Sequence, residues 1–153
     1  MKRAVIAGAT GVIGTALLEK LLQENMEVLV LVRRDSKRLS VLPEDSRVMV
    51  LYAGMEEYQN LQNDTGKEWE VFFDLAWSGT FGAARNDTEL QMQNISYTLD
   101  AVKLAKRFGC HTFVGAGSQA EYGRYEGKLN AGIPAFPETG YGIAKLFAGQ
   151  LSR

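Results

Sequence analysis

Ala4-Val5-Ile6-Ala7 is a short apolar run that stops at glycine, which predicts a buried strand. From Val12 to Glu24 the apolar residues Val12, Ile13, Ala16, Leu17 and Leu21 recur at helical spacing among polar ones. Further apolar runs predict strands at Glu27–Val32, Arg47–Tyr52, Glu70–Ala76 and His111–Ala116. A long helix is predicted over Asp87–Phe108, with Leu90, Ile95, Leu99, Val102 and Ala105 on its inner face and Gly109 closing it. A last helix is predicted from about Thr139 to Leu151. Ser36–Ser46 and Glu56–Lys67 have a poor helical signal. Tyr122–Glu138 is glycine-rich, holds Pro134 and Pro137, and reads as a long loop of the kind that is usually functional. Strands alternating with helices imply parallel pairing through right-handed crossovers, an open α/β sheet.

The length, 153 residues, fits one domain, and neither a repeat nor a linker divides it. Seventeen basic and eighteen acidic side chains leave a net charge of −1, which gives no electrostatic reason to expect a nucleic-acid partner. Cys110 is the single cysteine, so no internal disulfide framework is expected and a reducing, cytoplasmic compartment is. With His111 the lone histidine, these two cannot supply the three or four ligands of a zinc site. The longest apolar runs fall far short of a membrane span of about 20 residues.

Between the first strand and the first helix lies Gly8-Ala9-Thr10-Gly11-Val12-Ile13-Gly14. Glycines at this spacing allow a tight turn and let a pyrophosphate approach the helix N-terminus, whose free N–H groups and dipole favour an anion. Gly8, Thr10, Gly11, Val12, Ile13 and Gly14 are therefore candidate dinucleotide-binding residues. The structural alternative is a plain tight turn with close helix–sheet packing. At the end of the second strand, a carboxylate would suit the ribose 2′-hydroxyl of NAD and an arginine the 2′-phosphate of NADP. Arg33 and Arg34 stand there, with Asp35 following, so NADP is the expected cofactor and NAD the alternative. A solvated charge run is the competing explanation.

Tyr141 and Lys145, four residues apart on the last helix, share a face. A phenol is a poor acid–base group at neutral pH, and a nearby ammonium favours its ionised form. The pair is thus suited to proton transfer, although an ordinary amphipathic pair has the same spacing. Ser118 follows the fifth strand at the carboxyl edge of the sheet, where open α/β folds bind ligands. Its hydroxyl can polarise a carbonyl oxygen or simply form a turn. Asn94 lies mid-helix, as a core polar contact or part of a proton relay. Trp69 and Trp77 are expected to be packing groups rather than stacking platforms, although Trp77 follows the fourth strand at the same edge.

Together, Gly8-x-x-Gly11-x-x-Gly14, Asn94, Ser118, Tyr141 and Lys145 resemble the extended short-chain dehydrogenase/reductases, the NAD(P)-dependent epimerase/dehydratase family. Gly117-Ser-Gln-Ala-Glu-Tyr-Gly123 is similar to sugar-nucleotide reductases and epimerases. The resemblance spans all 153 residues. It implies a Rossmann-like, doubly wound parallel sheet in the order 3-2-1-4-5. It implies Tyr141 as general acid/base, with Lys145 assisting it and binding the nicotinamide ribose, and Ser118 orienting the substrate oxygen. Asn94 would complete this catalytic set. Tyr141, Lys145, Leu75 and Ala76 would contact the cofactor, and Ser78, Thr80 and Gln119 a nucleotide sugar. It also implies a homodimer through the helices that carry Asn94 and Tyr141.

There are departures from the family pattern. Arg33 replaces a frequent NAD-selecting acid, and Ala53-Gly54-Met55 supplies no aspartate for adenine. Members of this branch usually run to about twice this length, so the later strands and the C-terminal substrate domain are expected to be missing and the chain to be a fragment with little turnover alone. Competing functions are reduction of a small carbonyl compound and a non-catalytic, redox-sensing dinucleotide module. The sugar, the nucleotide, and reduction as against epimerisation or dehydration are not readable from these residues.

Overall fold

The computed structural model describes residues Lys2–Arg153, which form two compact units. The first comprises residues up to Ala76 together with Asp100–Ala116. It contains a five-stranded parallel sheet of β1 (Arg3–Ala7), β2 (Glu27–Val32), β3 (Val48–Tyr52), β4 (Val71–Asp74) and β5 (Thr112–Gly115), in the order β3-β2-β1-β4-β5. This is the Rossmann-like order that the family resemblance implies. Central β1 is buried along Ala4–Ala7, as an apolar strand with no polar side must be.

The alternation along β1 and β2 divides the core in two. Ala4, Ile6, Val28 and Val30 pack with Leu18, Leu21 and Leu22 of α1 (Val12–Gln23). Val5, Ala7, Leu29 and Leu31 pack with Ala101, Leu104, Ala105 and Phe108 on and just after the C-terminal end of α2 (Thr88–Arg107). Trp69 seals this second layer. It is 1% exposed, its backbone N–H donates to Phe108 O at 2.9 Å, and its indole N–H donates to Thr65 Oγ1 at 3.1 Å. It is a packing group, as expected.

The segments between β2 and β3 and between β3 and β4 contain only short 3-10 turns, at Leu39–Val41 and Met55–Glu57. Their weak apolar period cannot sustain a full helix. β4 and β5 are shorter than the apolar runs that predict them. Past Asp74 and Gly115 the ladder reduces to single bonds, from Leu75 N to Ala7 O and from Ala116 N to Asp74 O, each 3.0 Å.

The second unit comprises Trp77–Leu99 and Gly117–Arg153. It holds the N-terminal half of α2, a 3-10 turn at Gly82–Asn86, another at Gln119–Tyr122, and α3 (Gly140–Leu151). Of the expected inner face of α2, Ile95 and Ala105 are buried and the rest needs correction. Leu90 and Leu99 here, and Val102 in the first unit, are only half-buried. In the second unit the buried positions of α2 are Gln91, Asn94, Ile95 and Thr98. Polar side chains occupy this face because it meets loop backbone, whose N–H and C=O groups need partners. Residues 123–138 contain no helix or strand, in keeping with the predicted long loop.

Candidate functional site

In the first unit, β1 gives way to α1 through the glycine turn. Gly8 has φ +85°, and a Cβ there would lie 2.8 Å from the Leu75 carbonyl carbon and 2.9 Å from Ala76 N. Gly8 thus lets the segment leaving β4, with Leu75 and Ala76, lie directly against the turn. A Cβ on Gly14 would stand 2.2 Å from Gly8 O and 2.7 Å from Ala9 Cα, so the plain-packing explanation accounts for this glycine.

Gly11 differs. Its φ of −78° suits any residue, and the sole atom near a Cβ would be Gly8 O, at 3.4 Å. The internal packing of the chain does not require glycine here, whereas close approach of a ligand to the backbone does. Gly11 is also the N-cap of α1. Among the described residues no side chain caps that end, and the first turn holds no acidic residue. Its orphan N–H groups and positive dipole end are therefore left for an outside anion. Val12 and Ile13 are 79% and 70% exposed. The residues present thus fit a dinucleotide pyrophosphate.

Arg33 and Arg34 follow β2. Arg33 is well exposed and lies 3.8 Å from Asp35, a weak surface pairing. Arg34 reaches Glu57 Oε1 at 3.4 Å. Glu57 Oε2 accepts the Gly54 N–H at 2.7 Å, and this bond, followed by Arg34, holds its carboxyl below the usual range. In the stretch Ala53–Met55, which supplies no aspartate, two backbone donors are already taken, Gly54 N–H by Glu57 and Ala53 N–H by Val32 O.

In the second unit, Thr139 caps α3 by accepting the Gly142 N–H at 3.1 Å, and Asn86 Oδ1 accepts the Gly140 N–H at 3.0 Å. Tyr141 is thereby held in the first turn. A Cβ on Gly142 would stand 2.3 Å from Ala120 O, so this glycine seats α3 against the turn that begins at Ser118. Gly142 is a positioning residue that sequence reasoning missed; its signal is the glycine directly after the tyrosine.

Ser118 caps its 3-10 turn. Its Oγ accepts from Ala120 N at 3.2 Å, and its backbone N–H donates to Glu121 Oε1 at 2.6 Å. The turn-forming role is realised. Accepting one bond leaves the hydroxyl proton to donate elsewhere. Gln119 and Thr80 are exposed and Ser78 is half-buried.

Asn94 is 2% exposed and grips Ser78 from both sides. Its Oδ1 accepts the Ser78 N–H at 3.0 Å, and its Nδ2 donates to Ser78 O at 2.9 Å. It is a core polar contact that holds the loop after β4. Gln91 does the same a turn earlier, donating to Gly79 O and Ala84 O. Sequence reasoning missed Gln91, because one glutamine in a helix carries no signal.

Lys145 is buried, 7% exposed, with Nζ 3.8 Å from the centroid of the Trp77 ring. The Arg85 guanidinium carbon lies 4.6 Å from the Tyr141 ring centroid, and Arg85 donates to Thr80 O at 2.9 Å. Trp77 and Arg85 therefore join the Tyr141–Lys145 group, Trp77 packing on Ile95, Ala144 and Ala148 as well. A cavity of about 280 Å³ in this unit is bounded by Glu121, Tyr122, Ile133 and Leu146, and includes none of the predicted site residues.

Residues 4–153 match the NAD dependent epimerase/dehydratase family. The chain belongs to this family. No curated protein matches it in sequence. Among solved structures it is similar to a UDP-galactose 4-epimerase at 22% identity and a TM-score of 0.82, covering 97% of this chain and 50% of that one. The UDP-glucuronic acid 4-epimerase from Bacillus cereus in complex with NAD gives 19% identity and a TM-score of 0.79, over 97% of this chain and 50% of that one. The UDP-Glc/GlcNAc 4-epimerase from Campylobacter jejuni gives 19% and 0.83, over 99% and 48%. The chain spans about half the length of these proteins, and at such identities the likeness is one of fold. Among the described residues, no helix is long and apolar enough to cross a membrane.

Proposed function

We propose that this chain carries the dinucleotide-binding and proton-transfer residues of an NAD(P)-dependent epimerase, dehydratase or reductase acting on a nucleotide sugar. The observation that supports the reading is the meeting of Tyr141 and Lys145 at Trp77, on a helix that Gly142 seats against the turn capped by Ser118. The solved structures of similar fold support the substrate class, since they are enzymes of UDP-sugars.

The cofactor supplies hydride acceptance and donation when bound. Gly8, Thr10, Gly11, Val12, Ile13 and Gly14 hold its pyrophosphate at the N-terminus of α1, with Leu75 and Ala76 beside the turn. Tyr141 Oη takes a proton from a sugar hydroxyl, or returns it to a carbonyl. Ser118 Oγ donates to the same oxygen and orients it, and Lys145 balances the charge that develops at Tyr141. Ser78, Thr80 and Gln119 contact the sugar. Asn94 acts by fixing Ser78 rather than by relaying protons.

The exposed guanidinium of Arg33 supports NADP, whereas the NAD in the similar structure from Bacillus cereus supports NAD. Exposed Ile143, Phe147 and Leu151, at spacing of four along α3, and Met92 on α2 support a homodimer through these helices. We also propose that a substrate domain outside these residues completes the enzyme, which is cytoplasmic.

The test is a fluorescence titration with NADH and NADPH, followed by turnover of UDP-galactose and UDP-glucuronic acid by a full-length protein with and without Tyr141→Phe. Micromolar cofactor binding, with turnover lost in Tyr141→Phe, is expected. Absence of binding to either dinucleotide refutes the reading, and tighter NADH than NADPH reverses the cofactor preference.

A further inference from the structure

Trp77 makes three directed contacts within the second unit. Its ring face receives the Lys145 ammonium, with Nζ 3.8 Å from the centroid, well inside the range of a cation–π interaction. Its ring meets that of Tyr141 at 90°, the centroids 6.0 Å apart, an edge-to-face geometry. Its indole N–H donates to Gln91 Oε1 at 3.0 Å.

Gln91 is itself fixed. It is 2% exposed, and its Nε2 donates both to Gly79 O at 3.0 Å and to Ala84 O at 2.9 Å. Asn94 Nδ2 approaches the same Gln91 Oε1 at 3.4 Å. The indole plane is thus locked by a buried amide whose own orientation is set by two backbone carbonyls. Lys145 is buried too, and a π face attracts a desolvated ammonium more strongly than a hydrated one. A lysine side chain has four rotatable bonds, and α3 alone does not decide where its charge rests.

We propose that Trp77 is a positioning residue for the reaction, its indole face holding the Lys145 ammonium at a set place beside α3 and Gln91 holding the indole. This rests on the hydride-transfer reading above and adds to it a platform that a merely apolar side chain cannot replace. Phenylalanine retains a face for the ammonium and loses the N–H, whereas leucine retains bulk and loses the face.

The experiment uses the full chain and two readouts. In proton–carbon correlation spectra without ligand, the ε-methylene protons of Lys145, assigned by their absence in Lys145→Met, are expected upfield of the other lysines because of the indole ring current. Trp77→Phe is expected to keep part of that shift and Trp77→Leu to abolish it. With NADH as the probe, Trp77→Leu is expected to bind about 10- to 30-fold more weakly and Trp77→Phe within about 3-fold of wild type. Ordinary Lys145 shifts in the wild type overturn the proposal, as does equal loss of NADH binding in Trp77→Phe and Trp77→Leu. If Trp77→Leu does not fold, the wild-type shift and the Trp77→Phe variant decide alone. A ring-current shift without NADH binding to any protein supports the Lys145–Trp77 pairing and refutes the dinucleotide reading.

Discussion

Gly11 and Gly14 lie three residues apart in one turn, and their replacement by alanine is expected to fail in different ways. In Gly14→Ala the new methyl falls 2.2 Å from Gly8 O and 2.7 Å from Ala9 Cα, both backbone atoms, so the turn itself must shift by most of an ångström. Overpacking of this kind costs about 3 kcal/mol, and alanine in a helix recovers about 1 kcal/mol over glycine. The net loss of about 2 kcal/mol corresponds to a melting temperature lowered by roughly 4–8 °C in a protein of this size. In Gly11→Ala the methyl meets nothing closer than 3.4 Å and the backbone angles already suit alanine. Losing glycine at an N-cap and gaining chain stiffness each change stability by well under about 1 kcal/mol, with opposite sign. Its melting temperature is expected to stay within about 2 °C of wild type. The same methyl, however, thickens the backbone at the N-cap of α1, where the proposed pyrophosphate would approach, so NADH affinity is expected to fall at least about 10-fold. Circular dichroism melts and NADH fluorescence titration of the two variants measure both effects. Wild-type NADH affinity in Gly11→Ala, or a melting temperature as low as that of Gly14→Ala, refutes the reasoning.

Other predictions concern single groups. Asn94→Ala removes both partners of Ser78 and is expected to cost about 2–4 kcal/mol, read as a lower denaturation midpoint. Asp45, gripped by the Arg47 guanidinium, has its carboxyl lowered to about 2 from an ordinary 3.8. A depressed folded value stabilises above the ordinary value and loses that contribution as pH falls toward 2. The stability gap between wild type and Asp45→Asn is therefore expected to be full above about pH 4 and to close between pH 4 and pH 2. Burial pushes the Cys110 thiol up to about 12, so little thiolate forms at pH 8. Labelling by a disulfide reagent at that pH is expected to be far slower in the native chain than in urea, and equal rates would refute this.

The sheet was readable because β1 and β2 are apolar on both faces, a pattern available only to strands covered on both sides. Strand order followed from the resemblance rather than from the pattern. The inner face of α2 was legible at Ile95 and Ala105 but not at Gln91, Asn94 and Thr98, which look solvated in sequence and are interior in the structure. Tyr141 and Lys145 were legible as side chains four apart on one helix, and both meet Trp77. Trp77 and Arg85 were not read as neighbours of Tyr141 and Lys145, since a ring face against a distant cation leaves no trace in local spacing. Gly142 has a trace, the glycine directly after the tyrosine, but not the Ala120 carbonyl that gives it meaning.

Gly8 also bears on how this protein can diverge. Because its missing side chain brings the backbone at Leu75 and Ala76 directly against the turn, residues 67 positions apart form one surface with no buffer between them. A substitution at residue 8 is blocked unless the exit from β4 is redrawn at the same time, and drift in the path of residues 75–76 is blocked while residue 8 stays glycine. The two segments can therefore change only together.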